Sequence, residues 1–232
     1  MKPLPWTHSK LSAFEQCARQ FEQVQVLRNF TDVKHAANLW GDRFHKAAEQ
    51  FIEQSVAGEA VTPLGADMQS YADYLAQFIG RPGKTYVERR YALDLQLAPC
   101  DFFAANVWCR AILDVLTLDG PVAQVDDHKT GKNRKKDMQQ LIISALHVFY
   151  WHPEIETCHT AFHWVQHGFG ESAKDRETFH RHQIPKLWET LIPKLQRYKA
   201  AFEIELFKPK PSGLCKKYCA VDTCEYFGAG SR

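Results

Sequence analysis

Two β-rich runs of the chain, residues 107–118 and 122–129, are separated by the turn signal Asp119-Gly120-Pro121. A short breaker between two such runs is typical of an antiparallel hairpin. The first run is apolar for most of its length, which indicates that the sheet is largely buried. A third run, residues 85–97, precedes them, so the sequence predicts a meander of three strands.

Ionisable side chains close the second run, where Asp127, His128 and Lys129 follow one another. Residues i and i+2 of a strand share a face, so Asp127 and Lys129 point to one side and His128 to the other. A loop of two or four residues would place Asp114 on the face of Asp127, at roughly 5 to 8 Å between Cβ atoms. A three-residue loop would place Asp114 on the wrong face.

Two carboxylates at that separation repel each other unless a positive charge lies between them. A divalent hard cation is the simplest candidate, because Mg²⁺ is typically held by one or two carboxylates, waters and phosphate oxygens. The alternative is a solvated strand end with a surface ion pair between Asp127 and Lys129, which contributes little. Asp114 is harder to explain in that way, since a carboxylate within an apolar strand is costly without a partner.

Helical periodicity surrounds these strands. Apolar residues recur at spacings of three and four over residues 12–21, 38–56, 64–79, 137–150 and 185–206. Residues 157–165 have the pattern of another strand. The sequence therefore predicts an α/β protein whose elements run in the order helices, three strands, helix, strand, helix.

Composition bounds the class of molecule. With 45% apolar and 24% charged residues in a chain of 232, we expect one globular domain, with or without a small appendage, and not a disordered chain. No run approaches the roughly 20 apolar residues that cross a bilayer, and the first residues lack a secretory signal, so a soluble cytoplasmic protein without a membrane partner is expected. The net charge of +2 excludes a wholesale basic coat, so any nucleic-acid binding must come from local charge.

Three of the seven cysteines, Cys215, Cys219 and Cys224, follow a breaker-rich segment at residues 208–213. We expect a boundary there, between a domain of residues 1–207 and a cysteine module of residues 208–232. Cys17 completes a set of four ligands only if the two chain ends meet, and four thiolates suit either a 4Fe-4S cluster or zinc. The alternative is that the three cysteines are packed or partly exposed thiols.

Five elements, in order, resemble the motifs of the PD-(D/E)XK nuclease superfamily, in its RecB-like and phage exonuclease branch. The segment Leu11–Phe21 looks like the family's cysteine-bearing first helix, and Gly41-Asp42-Arg43-Phe44-His45 resembles its G-x-x-x-H helix. Three further matches are Ile112-Leu113-Asp114 to the metal-binding aspartate, Asp127-His128-Lys129-Thr130-Gly131 to the D-x-K-T-G motif, and Gln140-Leu141 to the Gln-Leu of the next helix. The resemblance spans almost the whole chain.

This resemblance implies a restriction-endonuclease-like core (α-β-β-β-α-β) with a helical N-terminal part and a C-terminal cysteine module docked on the helix of Cys17. It implies a divalent-metal-dependent DNA nuclease, more specifically an exonuclease, acting in DNA recombination, repair or phage DNA processing. The branch includes members with one N-terminal and three C-terminal cysteines around a 4Fe-4S cluster. Such a cluster on Cys17, Cys215, Cys219 and Cys224 would serve as a staple between the chain ends.

The resemblance also implies roles for single residues. Mg²⁺ or Mn²⁺ would be coordinated by His45, Asp114, Asp127 and the backbone carbonyl of His128. Lys129 would orient or activate the water, and Gln140 would help to fix the site. Outside these principal residues, Glu88 is expected as an accessory acid and Glu49 as a solvated helix residue or a supporting group.

Local basic charge adjoins the catalytic strand in Lys132, Arg134, Lys135 and Lys136, which we expect to bind DNA phosphates. The alternative for these residues is a solvated loop. His159, His163 and His167 alternate with aromatic residues, and we expect them on the wetter face of a strand.

Two other functions remain open at this level. One is a catalytically silent DNA-binding or recombination accessory protein with the same fold, and the other is a zinc-stabilised interaction domain. Besides DNA, a recombination or single-strand-annealing protein is a candidate partner. An intact set of His45, Asp114, Asp127 and Lys129 favours the enzyme.

Overall fold

The structure, a computed structural model, describes residues 4–31 and 36–229 and is mixed α/β. The chain divides into two compact units, one formed by residues 1–35 and 188–232 and the other by residues 36–187. The predicted boundary between residues 1–207 and 208–232 stays a prediction. Among the described residues, no helix combines the length and apolarity needed to cross a bilayer.

The α-helices follow the predicted order, with differences at two places. They are α1 (His8–Gln16), α2 (Ala18–Phe21), α3 (Ala36–Ala57), α4 (Ala72–Ala76), α5 (Met138–Trp151) and α6 (Ile184–Glu203). The helix predicted over 12–21 is broken at Cys17, whose φ of −160° is extended. The helix predicted over 64–79 is reduced to a short 3-10 turn (Gln69–Tyr71) and α4.

One six-stranded sheet lies in the second unit, with the strand order β2-β1-β3-β4-β5-β6. Its strands are β1 (Lys84–Asp94), β2 (Pro99–Cys100), β3 (Val107–Asp119), β4 (Val122–Lys129), β5 (Thr157–Trp164) and β6 (Lys174–His180). Neighbouring strands are antiparallel except β4 and β5, which are parallel and are connected through α5. The edge strand β6 was not predicted, because its sequence KDRETFH has no alternating apolar face.

The hairpin of β3 and β4 closes with a two-residue loop, Gly120 and Pro121. Asp119 pairs with Val122, and the register continues to Val115 opposite Asp126. Gly120 has a φ of 53°, a conformation that glycine adopts without steric cost. The loop is therefore even, which is the case in which Asp114 was expected to lie on the face of Asp127.

The core of the second unit forms on both sides of β4. On one side, Phe44 and Ile52 of α3 pack with Phe78 and Val115 in a buried cluster. On the other side, α5 packs against β1, β3, β4 and β5. Because β4 is covered on both faces, its polar residues must find partners within the protein.

The first unit is held by an aromatic cluster and by ion pairs. Phe14, Phe21, Tyr198 and Phe202 stack mostly edge to face, with ring centroids 5.0 to 6.2 Å apart. Glu15 of α1 pairs with both Lys194 and Arg197 of α6. These contacts bring the N-terminal helix and the C-terminal part of the chain together.

Candidate metal and nucleic-acid site

The Asp114 carboxylate of β3 lies beside α3 and the end of β4. Its Oδ2 accepts the backbone N–H of His128 at 2.8 Å and is 3.3 Å from Nδ1 of His45. Burial would raise the pKa of Asp114, but the hydrogen bond and charge of His45 lower it. In turn, burial would lower the pKa of His45, but Asp114 and the neighbouring acids raise it. The site therefore favours a cation at this point.

Asp127, Lys129 and Gln140 form a closed triangle of polar contacts. Lys129 Nζ lies 2.7 Å from Asp127 Oδ1 and donates to Gln140 Oε1 at 2.7 Å. The Gln140 amide donates in turn to the second carboxylate oxygen of Asp127. Burial and the negative charge of Asp114 raise the pKa of Asp127 to about 6, although Lys129 opposes them. At the Asp127 carboxylate, burial and the charge of Asp114 thus outweigh the lysine.

Glu88 of β1 has a larger part in the geometry than the sequence indicated. Within the described part of the chain, the group that could hold a metal ion is His45, Glu88 and Asp114, whose ligand atoms all lie within 4.8 Å of one another. Burial raises the pKa of Glu88 to about 7, and the charges of Asp114 and Glu49 add to this effect.

The backbone of Glu88 is unusual. Its φ is 45°, a region that non-glycine residues rarely adopt, and it lies between the ladder pairs Val87–Val115 and Arg89–Leu113. Such a conformation costs of the order of 1 to 3 kcal/mol and is often found at functional sites. No sequence pattern could have signalled it, since Glu88 is one of many acids in an ordinary strand.

The donor set suits a divalent cation. Two carboxylates and one imidazole are compatible with Mn²⁺, and carboxylates with added waters are compatible with Mg²⁺. Oxygen ligands about 2.1 Å from an octahedral ion lie about 3 to 4 Å apart, so a set within 4.8 Å needs only small movements to close on an ion. Ligation by Asp127 and by the His128 carbonyl stays a prediction, because neither belongs to this compact group.

Gly41 explains how His45 reaches the strands. A Cβ atom at Gly41 would lie 2.6 Å from Oγ1 of Thr130, the residue that follows β4. Since His45 is one helical turn further along α3, the glycine allows this helix to approach the end of β4 closely. The G-x-x-x-H pattern therefore has a steric reason in this chain.

Asp126, which the sequence reasoning did not single out, lies on the opposite face of β4 and is fully buried. Its oxygens are 2.6 Å from Arg81 Nη1 and 2.6 Å from His163 Nε2. Burial would raise the pKa of Asp126, but His163 and Arg81 lower it to about 2. The expectation that His163 faces water is wrong, because His163 is 2% exposed and serves this buried carboxylate; its neighbour His159 is exposed, as expected.

His128 points away from Asp127, as strand alternation requires. Its Nδ1 lies 2.6 Å from the Tyr74 hydroxyl, and its ring packs edge to face against Phe44 and Phe78. Burial lowers the pKa of His128 to about 4, so the imidazole is neutral at physiological pH. This side chain therefore packs in the core on the face of β4 opposite to Asp127.

The basic loop after β4 is partly neutralised within the protein. Arg134 forms a bidentate pair with Asp175, and Lys136 is paired with Glu177, both on β6. Lys132 and Lys135 are exposed and form no ion pair with any described residue. DNA binding by the four residues stays a prediction. Arg134 and Lys136 would bind phosphate while they are also paired with carboxylates of β6.

The four cysteines predicted as a set all lie in the first unit and line one pocket with Arg19 and Lys210. None of the seven cysteines, all of them described, forms a disulfide bond. Backbone N–H groups donate to two of the sulfurs, from Lys210 to Cys17 at 3.4 Å and from Ser212 to Cys215 at 3.5 Å. Each of these two sulfurs therefore has a hydrogen-bond donor from the backbone.

Comparison with known proteins assigns no family. No family model matches the chain, and no curated protein does. Two solved structures that it resembles are SSO0001 and a protein of Eubacterium rectale named "Putative exonuclease". Each has a TM-score of 0.46 and 12% identity, and each match covers 97–98% of this chain and 89% of the other. A likeness this distant establishes no function, so the function must be argued from the residues of the site.

Proposed function

We propose that this chain is a divalent-metal-dependent DNA nuclease, more specifically an exonuclease, built on a restriction-endonuclease-like core. The observation that carries the proposal is the compact group of His45, Glu88 and Asp114, joined through Asp114 to the Asp127–Lys129 pair. Hydrolysis of a phosphodiester requires relief of charge on the non-bridging oxygens and stabilisation of the leaving oxygen. A cluster of acids beside an ammonium group is suited to supply both through a metal ion.

In this proposal, His45, Glu88, Asp114 and Asp127 hold Mg²⁺ or Mn²⁺, which when bound would polarise the phosphate and acidify a water molecule. Burial and the charges of neighbouring acids raise the pKa values of Glu88 and Asp127 to about 7 and about 6, and a bound cation would oppose both causes. Two carboxyl groups that hold protons near neutral pH would release them when the ion binds.

Lys129 is the group we assign to the phosphate and the attacking water. Its ammonium is fixed by Asp127 and Gln140 at 2.7 Å each, and it lies 4.4 Å from the centre of the Phe162 ring. Fixed on three sides, it needs little reorganisation to offset charge that develops on the phosphate. Gln140 keeps the Asp127 and Lys129 side chains in this arrangement and is a positioning residue.

The cleavage experiment compares wild-type protein with Lys129→Ala on end-labelled single- and double-stranded DNA, with Mg²⁺ or Mn²⁺. We expect a loss of about a hundredfold or more, as for removal of one charge-stabilising group from a preorganised site. Lys186→Ala, which removes an exposed lysine of the same unit, is the matched control and should cleave normally. Equal cleavage by all three proteins would overturn the role of Lys129, whereas no cleavage by the wild-type protein would overturn the nuclease and favour a silent DNA-binding protein.

We further propose that Cys17, Cys215, Cys219 and Cys224 hold a 4Fe-4S cluster that joins the chain ends. Zinc on the same four thiolates is the alternative, since four cysteines can hold either group. The N–H donors to Cys17 and Cys215 are typical of cluster ligands.

Anaerobic purification, the visible absorption spectrum and iron and zinc analysis test the cluster. Cys219→Ser should lose iron and the visible band, whereas Cys100→Ser, which alters a cysteine outside the pocket, should keep both. A colourless wild-type protein that is folded and free of metal would refute the cluster, and stoichiometric zinc would favour the zinc-stabilised alternative.

A further inference from the structure

The long connection between β1 and β3 carries an aromatic pair, one ring half-buried and the other exposed, flanked by cations. Phe103 is 73% exposed and lies edge to face against Phe102, with ring centroids 5.2 Å apart. The Arg110 and Arg90 guanidinium carbons lie 5.2 and 5.9 Å from the centre of the Phe102 ring. We call Arg90, Phe102, Phe103 and Arg110 the Phe103 patch.

Neither arginine of the patch is paired with a described carboxylate, and Arg110 is also held in place by a hydrogen bond. Arg110 Nε donates to the Phe102 carbonyl at 2.7 Å, so the guanidinium is anchored by a neutral group. Neither arginine forms an ion pair with any residue that the structure describes. The nearby carboxylates of Asp94 and Asp101 instead accept backbone N–H groups of their own turns.

This arrangement differs from that of ordinary exposed residues. Burying Phe103 against a ligand would remove a large apolar surface from water, because its side chain is 73% exposed. The guanidinium groups beside it are suited to phosphate, because they offer planar donors and positive charge. An exposed aromatic ring beside unpaired arginines is a combination by which proteins bind single-stranded nucleic acid.

The patch is close to the metal group along the same two strands. Arg90 is two residues from Glu88, about 7 Å at the rise of a strand, and Arg110 is four residues from Asp114, about 13 Å. The charge of Arg90 reaches Glu88, because it lowers the pKa of that carboxyl. At a rise of about 3.4 Å per nucleotide, 13 Å corresponds to roughly four nucleotides of a stacked strand.

We propose that the Phe103 patch binds single-stranded DNA next to the metal site, with a base stacked on Phe103 and phosphates against Arg90 and Arg110. The strand must be single, because the faces of paired bases within a duplex are covered by their neighbours. The identity of the ligand rests on the proposed nuclease function, and the patch would hold the strand whose phosphodiester reaches the metal.

Binding is measured by fluorescence anisotropy in EDTA, with a labelled oligothymidylate of about 20 nucleotides and the full chain. Phe103→Ala should weaken binding about 5- to 100-fold, the equivalent of one lost base stack. It should leave the slope of log affinity against log salt unchanged. The Arg90→Ala/Arg110→Ala double variant should weaken binding and reduce the slope by about 1.4, since each phosphate on a single strand contributes about 0.7.

Two control variants distinguish base stacking on Phe103 and phosphate contacts of the arginines from the loss of any exposed side chain. Leu95→Ala removes another exposed apolar side chain of the connection between β1 and β3, which is 67% exposed. Arg28→Ala removes an exposed arginine of the first unit. Neither should change binding more than about twofold. If Leu95→Ala weakens binding as much as Phe103→Ala, or if Arg28→Ala changes the slope as much as the patch arginines, the patch is not the binding surface.

The patch and the nuclease can fail separately. Cleavage that requires Lys129 but is insensitive to Phe103→Ala and to the double arginine variant, on single-stranded DNA below saturation, would overturn the patch and leave the nuclease standing. Oligonucleotide binding that depends on the patch, in a protein that never cleaves, would support the patch and overturn the nuclease.

Discussion

Asp126 and Asp127 are consecutive residues of β4, yet their carboxylates are in opposite electrostatic states. Asp126 faces Arg81 and His163, which lower its pKa to about 2. Asp127, on the other face, has one lysine but also the charge of Asp114, and its pKa is raised to about 6. Burial acts on both carboxylates in the same direction, so the difference comes from their partners.

The difference distinguishes a structural carboxylate from a functional one. On the face of Asp126 the charges are matched within the protein, and the network ties β4 to β5 and to Arg81, which precedes β1. On the face of Asp127 the described acids outnumber the described cations. Asp127, Asp114, Glu88 and Glu49 act on one another, and Lys129, His45 and Arg90 oppose them. The uncompensated face is the one that would gain from a metal ion.

The largest effect on stability is expected from Asp126→Asn. Loss of the charge leaves Arg81 and His163 without their buried partner, and removal of one member of such a pair typically costs about 3 to 5 kcal/mol. Urea unfolding followed by circular dichroism measures the loss. Asp175→Asn breaks the more exposed pair with Arg134 and should destabilise the protein far less; equal losses in the two variants would contradict a buried structural role.

Asp127→Asn should do the reverse of Asp126→Asn. Cleavage should fall about a hundredfold or more, a loss of about 2.7 kcal/mol in transition-state stabilisation. The free energy of unfolding without metal should stay level or increase, because the change removes a carboxylate that Asp114 repels. Cleavage rates and urea unfolding of the same preparation give both quantities, and a variant that cleaves normally but unfolds easily would place Asp127 with Asp126 as a structural residue.

The sequence could predict which side chains share a face, because strand alternation and the length of the hairpin loop determine this. Strand alternation separates Asp127 and Lys129 from His128, and the even loop at Gly120 brings Asp114 to the same side. Sequence could not supply the role of Asp126, because its partners Arg81 and His163 are 45 and 37 residues away. The backbone conformation of Glu88 could not be predicted either, since a positive φ at a non-glycine residue leaves no signal in the composition or in the hydrophobic pattern.

The pH dependence of stability distinguishes the two carboxylates by sign. Asp127 has a folded pKa above its unfolded value of about 3.9, so its stabilising contribution is present below that value and is lost as pH rises through about 6. Asp126 has a lowered pKa, so its contribution is present above about pH 4 and is lost as pH falls toward 2. The two residues should therefore affect different pH ranges.

The effect of Asp127 must be measured as the difference in unfolding free energy between the wild-type protein and Asp127→Asn. His128 and His147 have pKa values lowered to about 4 by burial, and they make the protein less stable as pH falls below about 6.5. Wild-type protein should therefore lose about 1 to 2 kcal/mol relative to Asp127→Asn between pH 5 and pH 8 in EDTA. Saturating Mn²⁺ should reverse the loss at pH 8, and a difference that does not change with pH would show that Asp127 is fully compensated.

The smallest effect is expected from Gly41→Ala, which acts on the metal face through geometry alone. Alanine is favoured over glycine within a helix by about 0.8 to 1.0 kcal/mol, but its Cβ would lie 2.6 Å from Thr130 Oγ1. If α3 moves to relieve this contact, His45 moves away from Asp114, and Mn²⁺ affinity measured by calorimetry should fall about three- to tenfold.

A double-mutant cycle separates this displacement from a general helix effect. Thr130→Ala removes Oγ1 and should by itself change Mn²⁺ affinity little, while Gly41→Ala/Thr130→Ala should recover most of the affinity lost in Gly41→Ala. Independent effects of the two changes would mean that the approach of α3 to β4 does not position His45. The contacts of Asp126 should not change in any of the three variants, because its partners Arg81 and His163 do not lie on α3.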